Sequence, residues 1–159
     1  MKKSIKKGFS FGLTSAIITT LGLIIGLNST THSRSIVIGG ILTIAVADAL
    51  SDALGVHISE EASSKKITKK QVWEATISTL LSKFIFAITF LVPVLLLKLD
   101  TAIIVSIIWG LFLISIFSYY IAKSQNASPY KALLEHLVIA GIVIVITHNL
   151  GLIIGKFFA

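Results

Sequence analysis

Five long apolar stretches dominate the 159 residues of this sequence. They cover residues 8–28, 36–58, 72–97, 102–122 and 133–154, and each is long enough to cross a hydrocarbon core of ~30 Å as a helix. Strands are excluded because the runs lack the alternation of barrel strands, and an open sheet edge would leave backbone groups unpaired in lipid. The sequence therefore predicts an all-α integral membrane protein with five transmembrane helices, forming one transmembrane domain over residues 1–159.

Charged residues make up 13% of the chain, which is about half the share found in water-soluble domains. The net charge of +7 would indicate nucleic-acid binding only if the basic residues gathered on one folded face. They lie instead between the apolar stretches, so we expect anionic lipid headgroups, and no nucleic acid, as their neighbours. The absence of cysteine excludes disulfides, thiolate metal sites and cysteine nucleophiles.

The basic residues outside the stretches are unevenly distributed. Ten lie before the first stretch, in the second loop or in the fourth loop: Lys2, Lys3, Lys6, Lys7, Lys65, Lys66, Lys69, Lys70, Lys123 and Lys131. Only Arg34, Lys98 and Lys156 lie on the opposite side. Because basic residues concentrate in cytoplasmic loops, we expect a cytoplasmic N-terminus and a C-terminus outside.

Three charged residues lie at mid-depth in the apolar stretches, where each costs ~2.5–3.5 kcal/mol to insert. Asp48 and Asp52 are four residues apart, so they project from one side of the second helix, and Lys83 lies near the middle of the third. Two carboxylates on adjacent turns suit a hard divalent cation, and either can also bind a proton. The alternative is structural, with Lys83 neutralising one aspartate.

Four further residues near the cytoplasmic side are candidate cation ligands. His57 lies roughly opposite the first aspartate on a helical wheel, so it is either a ligand or an interfacial residue. Glu60 and Glu61 continue the second helix past the membrane face, where they either stay solvated or concentrate cations. Glu135 either completes a cation site or pairs with Lys131.

Glycines recur at four-residue spacing in the first and last stretches. Gly22 and Gly26 form one pair, and Gly151 and Gly155 form the other. This spacing is typical of closely packed membrane helices. It predicts tight packing and is compatible with a dimer.

Four segments resemble one known family. Residues 15–22, Ser-Ala-Ile-Ile-Thr-Thr-Leu-Gly, resemble the helix-one signature Asp-Gly-(Ile/Leu)-x-(Ser/Thr)-Thr of the vacuolar iron transporter family. Residues 47–59 resemble its helix-two segment around Ser-Met-x-x-Gly-Glu-Tyr-(Val/Ile)-Ser, and residues 90–93 and 134–141 are similar to its proline-ended segment and last helix. The resemblance implies five membrane helices, a homodimer, and movement of Fe(II) or Mn(II) out of the cytoplasm, typically in exchange for protons.

Several positions depart from the family pattern. Ser15 stands where the signature has aspartate, Asp52 where it has methionine, and Val56 and His57 where it has glutamate and tyrosine. The cytoplasmic metal-binding insertion of familiar members is replaced by the short loop 59–71, whose two glutamates are its nearest remnant. Loss of a thioether and gain of a carboxylate favour Mn(II), Fe(II) or Mg(II) over Cu(I) or Zn(II).

The function expected from these residues is transport of a divalent cation, Fe(II) or Mn(II), out of the cytoplasm by proton exchange. In this hypothesis Asp52 binds the cation, and Asp48 binds it or relays a proton. Ser15 and Thr19 supply auxiliary oxygens from the first helix, and Lys83 resets the charge when the site empties. The ion is a substrate, and we expect no resident cofactor.

Two other classes of protein remain as alternatives. One is a membrane scaffold that transports nothing and uses the aspartates and the lysine as a static polar lock. The other is a membrane enzyme, but the sequence has no nucleotide-binding loop, no His-Glu-x-x-His motif and no recognisable catalytic triad, so we expect no enzymatic activity. The compact chain and the missing insertion favour a prokaryotic cell membrane over an organelle.

Overall fold

A computed structural model describes residues 2–63 and 67–158. Within these ranges the chain forms five long helices and no strand, which confirms the all-α prediction. The helices are α1 (Lys3–Thr31), α2 (Arg34–Glu61), α3 (Lys69–Leu96), α4 (Leu99–Ser124) and α5 (Pro129–Phe158). Each is long and apolar enough to cross a bilayer, so the fold fits a multi-pass membrane protein.

The helices begin earlier than the apolar stretches and, except for α3, end later. The reason is that polar residues at the membrane boundary continue a helix when the free backbone N–H and C=O groups at its ends find hydrogen-bond partners. At the start of α3, Thr68 and Gln71 form a capping box in which each side chain bonds the other residue's backbone. Pro129 is the first residue of α5, where its missing N–H leaves no bond unmade.

Helix α1 lies at the centre and packs against each of the other four helices. Its apolar side chains Leu13, Ile17 and Ile24 are fully buried. Glycines permit the closest approaches, since a Cβ on Gly12 would lie 2.5 Å from the carbonyl oxygen of Thr79 on α3. The backbones of α1 and α3 are therefore in direct contact, which places the polar residues of α1 beside those of α3.

The two glycine pairs predicted to mark close packing meet each other within the chain. A Cβ on Gly151 of α5 would lie 2.5 Å from the carbonyl oxygen of Gly26 on α1. A Cβ on Gly155 would lie 3.0 Å from the Thr30 carbonyl oxygen. The prediction of tight packing is confirmed, and the seam joins α1 to α5 of the same chain.

Two helices are irregular, α2 at mid-length and α3 near its end. In α2, residues Ile44–Asp48 form a π-helical turn between the α-helical segments Arg34–Thr43 and Ala49–Glu61. In α3, the α-helix ends at Thr89, turns at Phe90 and resumes over Leu91–Leu96. Pro93 accounts for the interruption of α3. Its ring clashes with the carbonyl of residue 89, and proline has no N–H to donate to that carbonyl.

Contacts between helix ends define two poles of the bundle. The start of α1 meets the start of α3 through the Lys2–Glu74 ion pair, at 2.7 Å, and meets the end of α4 where Lys6 donates to Ser124. At the other pole, Arg34 donates to the carbonyl oxygen of Leu97. We call the first pole the lysine-rich end. Lys65 and Lys66, which the sequence assigns to the same side, lie outside the described residues.

Candidate functional site

Lys83 is the centre of a charged cluster between α1, α2 and α3. Its side chain is 1% exposed, and its ammonium contacts the Oδ2 atoms of both Asp48, at 2.5 Å, and Asp52. The ammonium also donates to Ser15 Oγ at 2.9 Å, and that hydroxyl donates to Asp52 Oδ2 at 2.7 Å. One lysine therefore binds both aspartates, as the scaffold alternative required, and pairing with a single aspartate is incomplete.

The helices bring these groups together through small side chains. Ala45, Ala49 and Ala53 of α2 are buried at four-residue spacing, and α2 packs on α3. Small residues allow such close approach, so a long lysine side chain on one helix can reach the carboxylates on the other. Asp48 ends the π-helical turn and Asp52 follows one turn later. Turns of this type occur frequently at functional sites.

The charges of the cluster do not cancel. Two carboxylates and one ammonium leave a formal charge of −1 when all three are ionised. The ammonium is withdrawn from solvent, but the side chains of Asp48 and Asp52 keep 29% and 21% of their exposure. A buried ammonium is tolerated because two partners offset its desolvation. The aspartates therefore carry residual negative charge and are still partly exposed to solvent.

A cleft of about 430 Å³ connects Asp52 with the lysine-rich end. It lies between α1 and α2, and its lining residues are Lys7, Phe11, Ser51, Asp52, Gly55, Val56, Ser59 and Glu60. From Asp52 to Glu60 the cleft follows α2 for about 12 Å at 1.5 Å per residue. At that end Lys7 forms an ion pair with Glu60, whose side chain is only 7% exposed.

The two predicted hydroxyl ligands of α1 have different positions. Ser15 joins the cluster, as described. Thr19 lies one turn further along and donates to the carbonyl oxygen of Ser15 at 2.8 Å. Its hydroxyl is thus used within α1, while the hydroxyl of Ser15 bonds the carboxylate.

His57, which the sequence left open as a ligand or an interfacial residue, contacts other groups than the aspartates. Its Nδ1 is 3.0 Å from the hydroxyl of Thr76, and its ring packs edge-on against Trp73 with centroids 4.8 Å apart. Its Nε2 is 3.5 Å from Glu61, whose side chain is 61% exposed. The interfacial interpretation of His57 fits these contacts better than a ligand role.

The predicted acidic residues are not grouped. Glu60 is buried and paired with Lys7, so its interpretation as a solvated carboxylate is wrong. Burial follows from packing of the α2 end against α1, which sequence spacing does not report. Glu135 is exposed on α5, and within the described chain no ion pair joins it to Lys131. Among residues 2–63 and 67–158, no three His, Cys, Asp or Glu side chains are grouped to hold a metal.

Sequence reasoning missed the partnership of Lys7 and Glu60. Lysines before a first apolar stretch are usually interpreted as solvated residues that set the orientation in the membrane. Nothing in the spacing links Lys7 to Glu60, which lies 53 positions later. The basic run at the start of α1 together with a glutamate at the end of α2 was the available signal.

Comparison with known proteins adds no assignment. No protein-family model matches this chain, and no curated protein matches it. The resemblance to the vacuolar iron transporter family therefore stays a prediction from the residues quoted above.

Proposed function

We propose that this protein moves a divalent cation, Mn(II) or Fe(II), out of the cytoplasm in exchange for protons. The observation that carries the proposal is the buried Lys83 ammonium, shared by two carboxylates, one of which lines an open cleft. Ionisable groups held at mid-membrane beside a cavity are typical of ion pathways. The donors are carboxylate and hydroxyl oxygens, which suit Mn(II) better than softer ions. The resemblance to vacuolar iron transporters supports the same class of function.

In the proposed mechanism Lys83 is a tethered cation that occupies the empty site. A divalent ion that reaches Asp52 through the cleft displaces the ammonium and binds both carboxylates, with Ser15 Oγ as a further oxygen ligand. The ion and an ionised Lys83 together would leave a formal charge of +1 among the two carboxylates. Loss of one N–H proton from Lys83 makes the site neutral. Reprotonation of Lys83 after the ion leaves restores the starting state, and one proton is exchanged per cycle.

A homodimer would close the open side of this site. Seven small residues at four-residue intervals form an exposed face along α2, and they are Ser35, Gly39, Thr43, Ala47, Ser51, Gly55 and Ser59. We call this the α2 small-residue face. A Cβ on Gly39 or Gly55 would meet nothing within 4 Å, so there is room for a second helix to approach closely. Three members of the face also line the cleft, and the partner subunit would therefore cover it.

The proposed orientation follows from charge. With the lysine-rich end in the cytoplasm, the cleft opens to the cytoplasmic ion pool and the Arg34 pole faces outward. We propose that the host membrane is a prokaryotic cell membrane. Export then corresponds to movement from the cleft through the aspartates toward the Arg34 pole.

Ion uptake into proteoliposomes tests the proposal. The full chain is reconstituted with a Mn(II)-quenched dye and a pH dye inside, and vesicles with the lysine-rich end outward are assayed. We expect Asp52→Asn to slow Mn(II) entry by about tenfold or more, because it removes a charged ligand. Asp100→Asn, at an exposed carboxylate in the first turn of α4, is the matched control and should transport like wild type. Equal rates for Asp52→Asn and wild type would refute the central role of the cluster.

A static polar lock is the second candidate function, and the close contact of one ammonium with both carboxylates favours it. The two candidates differ in their response to metal. A ligand that binds only the folded state stabilises it by ~2.7 kcal/mol at a hundredfold excess over its Kd. A transporter should therefore unfold at a higher temperature in Mn(II), and a lock should not respond to any divalent ion.

A further inference from the structure

A second cavity, of about 390 Å³, lies at the lysine-rich end between the start of α1 and the end of α4. Its lining residues are Lys3, Lys6, Lys7, Ser10 and Gln125. Three of these five described residues carry an ammonium and none carries a carboxylate. The cavity is therefore shaped by positive and neutral polar groups, in contrast with the cleft that contains Asp52.

The positive charge of this cavity is poorly compensated. Lys6 donates to Ser124, which is a neutral hydroxyl. Among the described residues Lys3 has no carboxylate within ion-pair distance, and the partner of Lys7 is Glu60, which lines the neighbouring cleft. Helix α1 also has no acidic residue in its first turn, so its dipole adds to the positive potential.

The cavity lies at the start of the first helix that is long and apolar enough to cross a bilayer, so we expect it at the level of the lipid phosphates. Ser10 lies near the start of the apolar stretch 8–28, and the adjacent Phe11 is 47% exposed. Lysines at the end of a spanning helix sit at headgroup level, and basic pockets between membrane helices bind anionic headgroups. We propose that this cavity binds the phosphate of an anionic phospholipid headgroup, and that the lipid competes with Glu60 for Lys7.

Lys7 connects the cavity with the cleft because it lines both. Its side chain is 63% exposed, so its ammonium is free to move between a phosphate and the carboxylate of Glu60. When the phosphate holds Lys7, Glu60 loses its partner and presents a negative charge to the cleft, which attracts a cation. Anionic lipid thus promotes entry of the ion. This regulatory half rests on the proposed function, whereas the binding half does not.

Lipid-dependent unfolding of the detergent-purified full chain tests the binding half. Phosphatidylglycerol should raise the unfolding temperature more than phosphatidylcholine does. The double variant Lys3→Gln/Lys6→Gln should lose this response, with binding weakened by roughly fivefold for each lysine removed. Lys98→Gln/Lys156→Gln removes the same charge at the opposite pole and should respond like wild type.

Three outcomes would overturn the binding half. They are an equal response to both lipids, an unchanged response in Lys3→Gln/Lys6→Gln, and an equal response to inorganic phosphate, which would identify a free anion as the ligand. Unfolding temperatures without lipid show whether the variant folds. If folding fails, the single variant Lys3→Gln is used, because Lys3 has no hydrogen bond to lose among the described residues.

Transport tests the regulatory half. Mn(II) uptake by wild type should rise several-fold when phosphatidylglycerol is added to phosphatidylcholine vesicles. Lys7→Gln should remove this dependence, because Glu60 is then unpaired in either lipid. A dependence as strong in Lys7→Gln as in wild type would overturn the competition. Lipid binding without any Mn(II) uptake would leave the lipid site intact and refute the proposed function.

Discussion

At the residue scale, Lys83, Asp48 and Asp52 act as one charged unit. The ammonium is 1% exposed and touches both carboxylates, while each aspartate keeps some contact with solvent. The buried ammonium therefore needs its ion-pair partners to offset its desolvation, whereas each aspartate is still partly solvated. Loss of one aspartate leaves the ammonium paired, and loss of both leaves a buried charge without a counter-ion.

This asymmetry predicts a non-additive effect on stability. We expect Asp48→Asn and Asp52→Asn each to lower the free energy of unfolding by about 1–2 kcal/mol. The double variant should lower it by about 3–5 kcal/mol, because Lys83 is then unpaired. Tryptophan fluorescence during thermal unfolding in detergent provides the measurement. A double variant that loses no more stability than the sum of the two single losses would contradict a shared ammonium.

The spacing of the two aspartates and the depth of Lys83 were enough to predict that these residues matter. The sequence left open whether one ammonium binds one carboxylate or both, and it did not predict that Glu60 would be buried against Lys7. Both outcomes depend on how closely α1, α2 and α3 approach one another. Hydrophobic periodicity reports which face of a helix is apolar, and it does not report the distance to the next helix.

At the element scale, the contact between α1 and α3 is made of backbone. A Cβ on Gly8 would lie 2.2 Å from the Ala75 carbonyl oxygen, and one on Gly12 would lie 2.5 Å from that of Thr79. The position of Ser15 beside Lys83 depends on this approach, since Ser15 lies one turn beyond Gly12. Any side chain at these glycines must separate the two helices.

We therefore expect Gly12→Ala to destabilise the protein by about 1–3 kcal/mol, the usual cost of overpacking. The matched control is Gly141→Ala on α5, where a Cβ would meet nothing within 4 Å. The free energy of unfolding of that variant should lie within about 0.5 kcal/mol of the wild-type value, or be higher because alanine is a better helix former than glycine. Equal unfolding temperatures for the two variants would show that α1 and α3 are not in backbone contact.

The existence of all five helices could be predicted because each apolar run alone meets the length requirement of a bilayer. Their ends could not be placed to the residue, because the apolar criterion stops where polar residues begin. The capping box at Thr68 and Gln71 extends α3 beyond its apolar run. The π-helical turn at Ile44–Asp48 left no recognisable mark in the apolar pattern of α2.

At the scale of the whole molecule, the α2 small-residue face is exposed although its composition suits close helix packing. The outer face of α5 is also exposed, but large aliphatic side chains cover it, as expected for contact with lipid. The difference between the two faces favours α2 as the seam of the proposed homodimer. Because three of its residues line the cleft, this face would link the proposed assembly to the proposed transport.

If α2 forms the seam of the proposed homodimer, a bulky residue on the α2 small-residue face should dissociate it. We expect Gly39→Leu to weaken association by about tenfold or more, since it prevents close backbone approach. Gly39 lies in the half of α2 near the Arg34 pole, so the aspartates are left intact. Light scattering after size-exclusion chromatography in detergent measures the mass. Gly141→Leu on α5 is the control and should stay dimeric. If Gly141→Leu dissociates and Gly39→Leu stays dimeric, the dimer contact lies on α5 and not on α2.

The sequence by itself determined the membrane class, the number of helices and the two acids on one side of α2. Local rules decide those properties, because span length and residue spacing act within one helix. Only the tertiary structure decided that one ammonium pairs with both aspartates, that Lys7 pairs with Glu60, and that the α2 small-residue face is exposed. Those features arise from distances between helices, which depend on packing of the whole bundle.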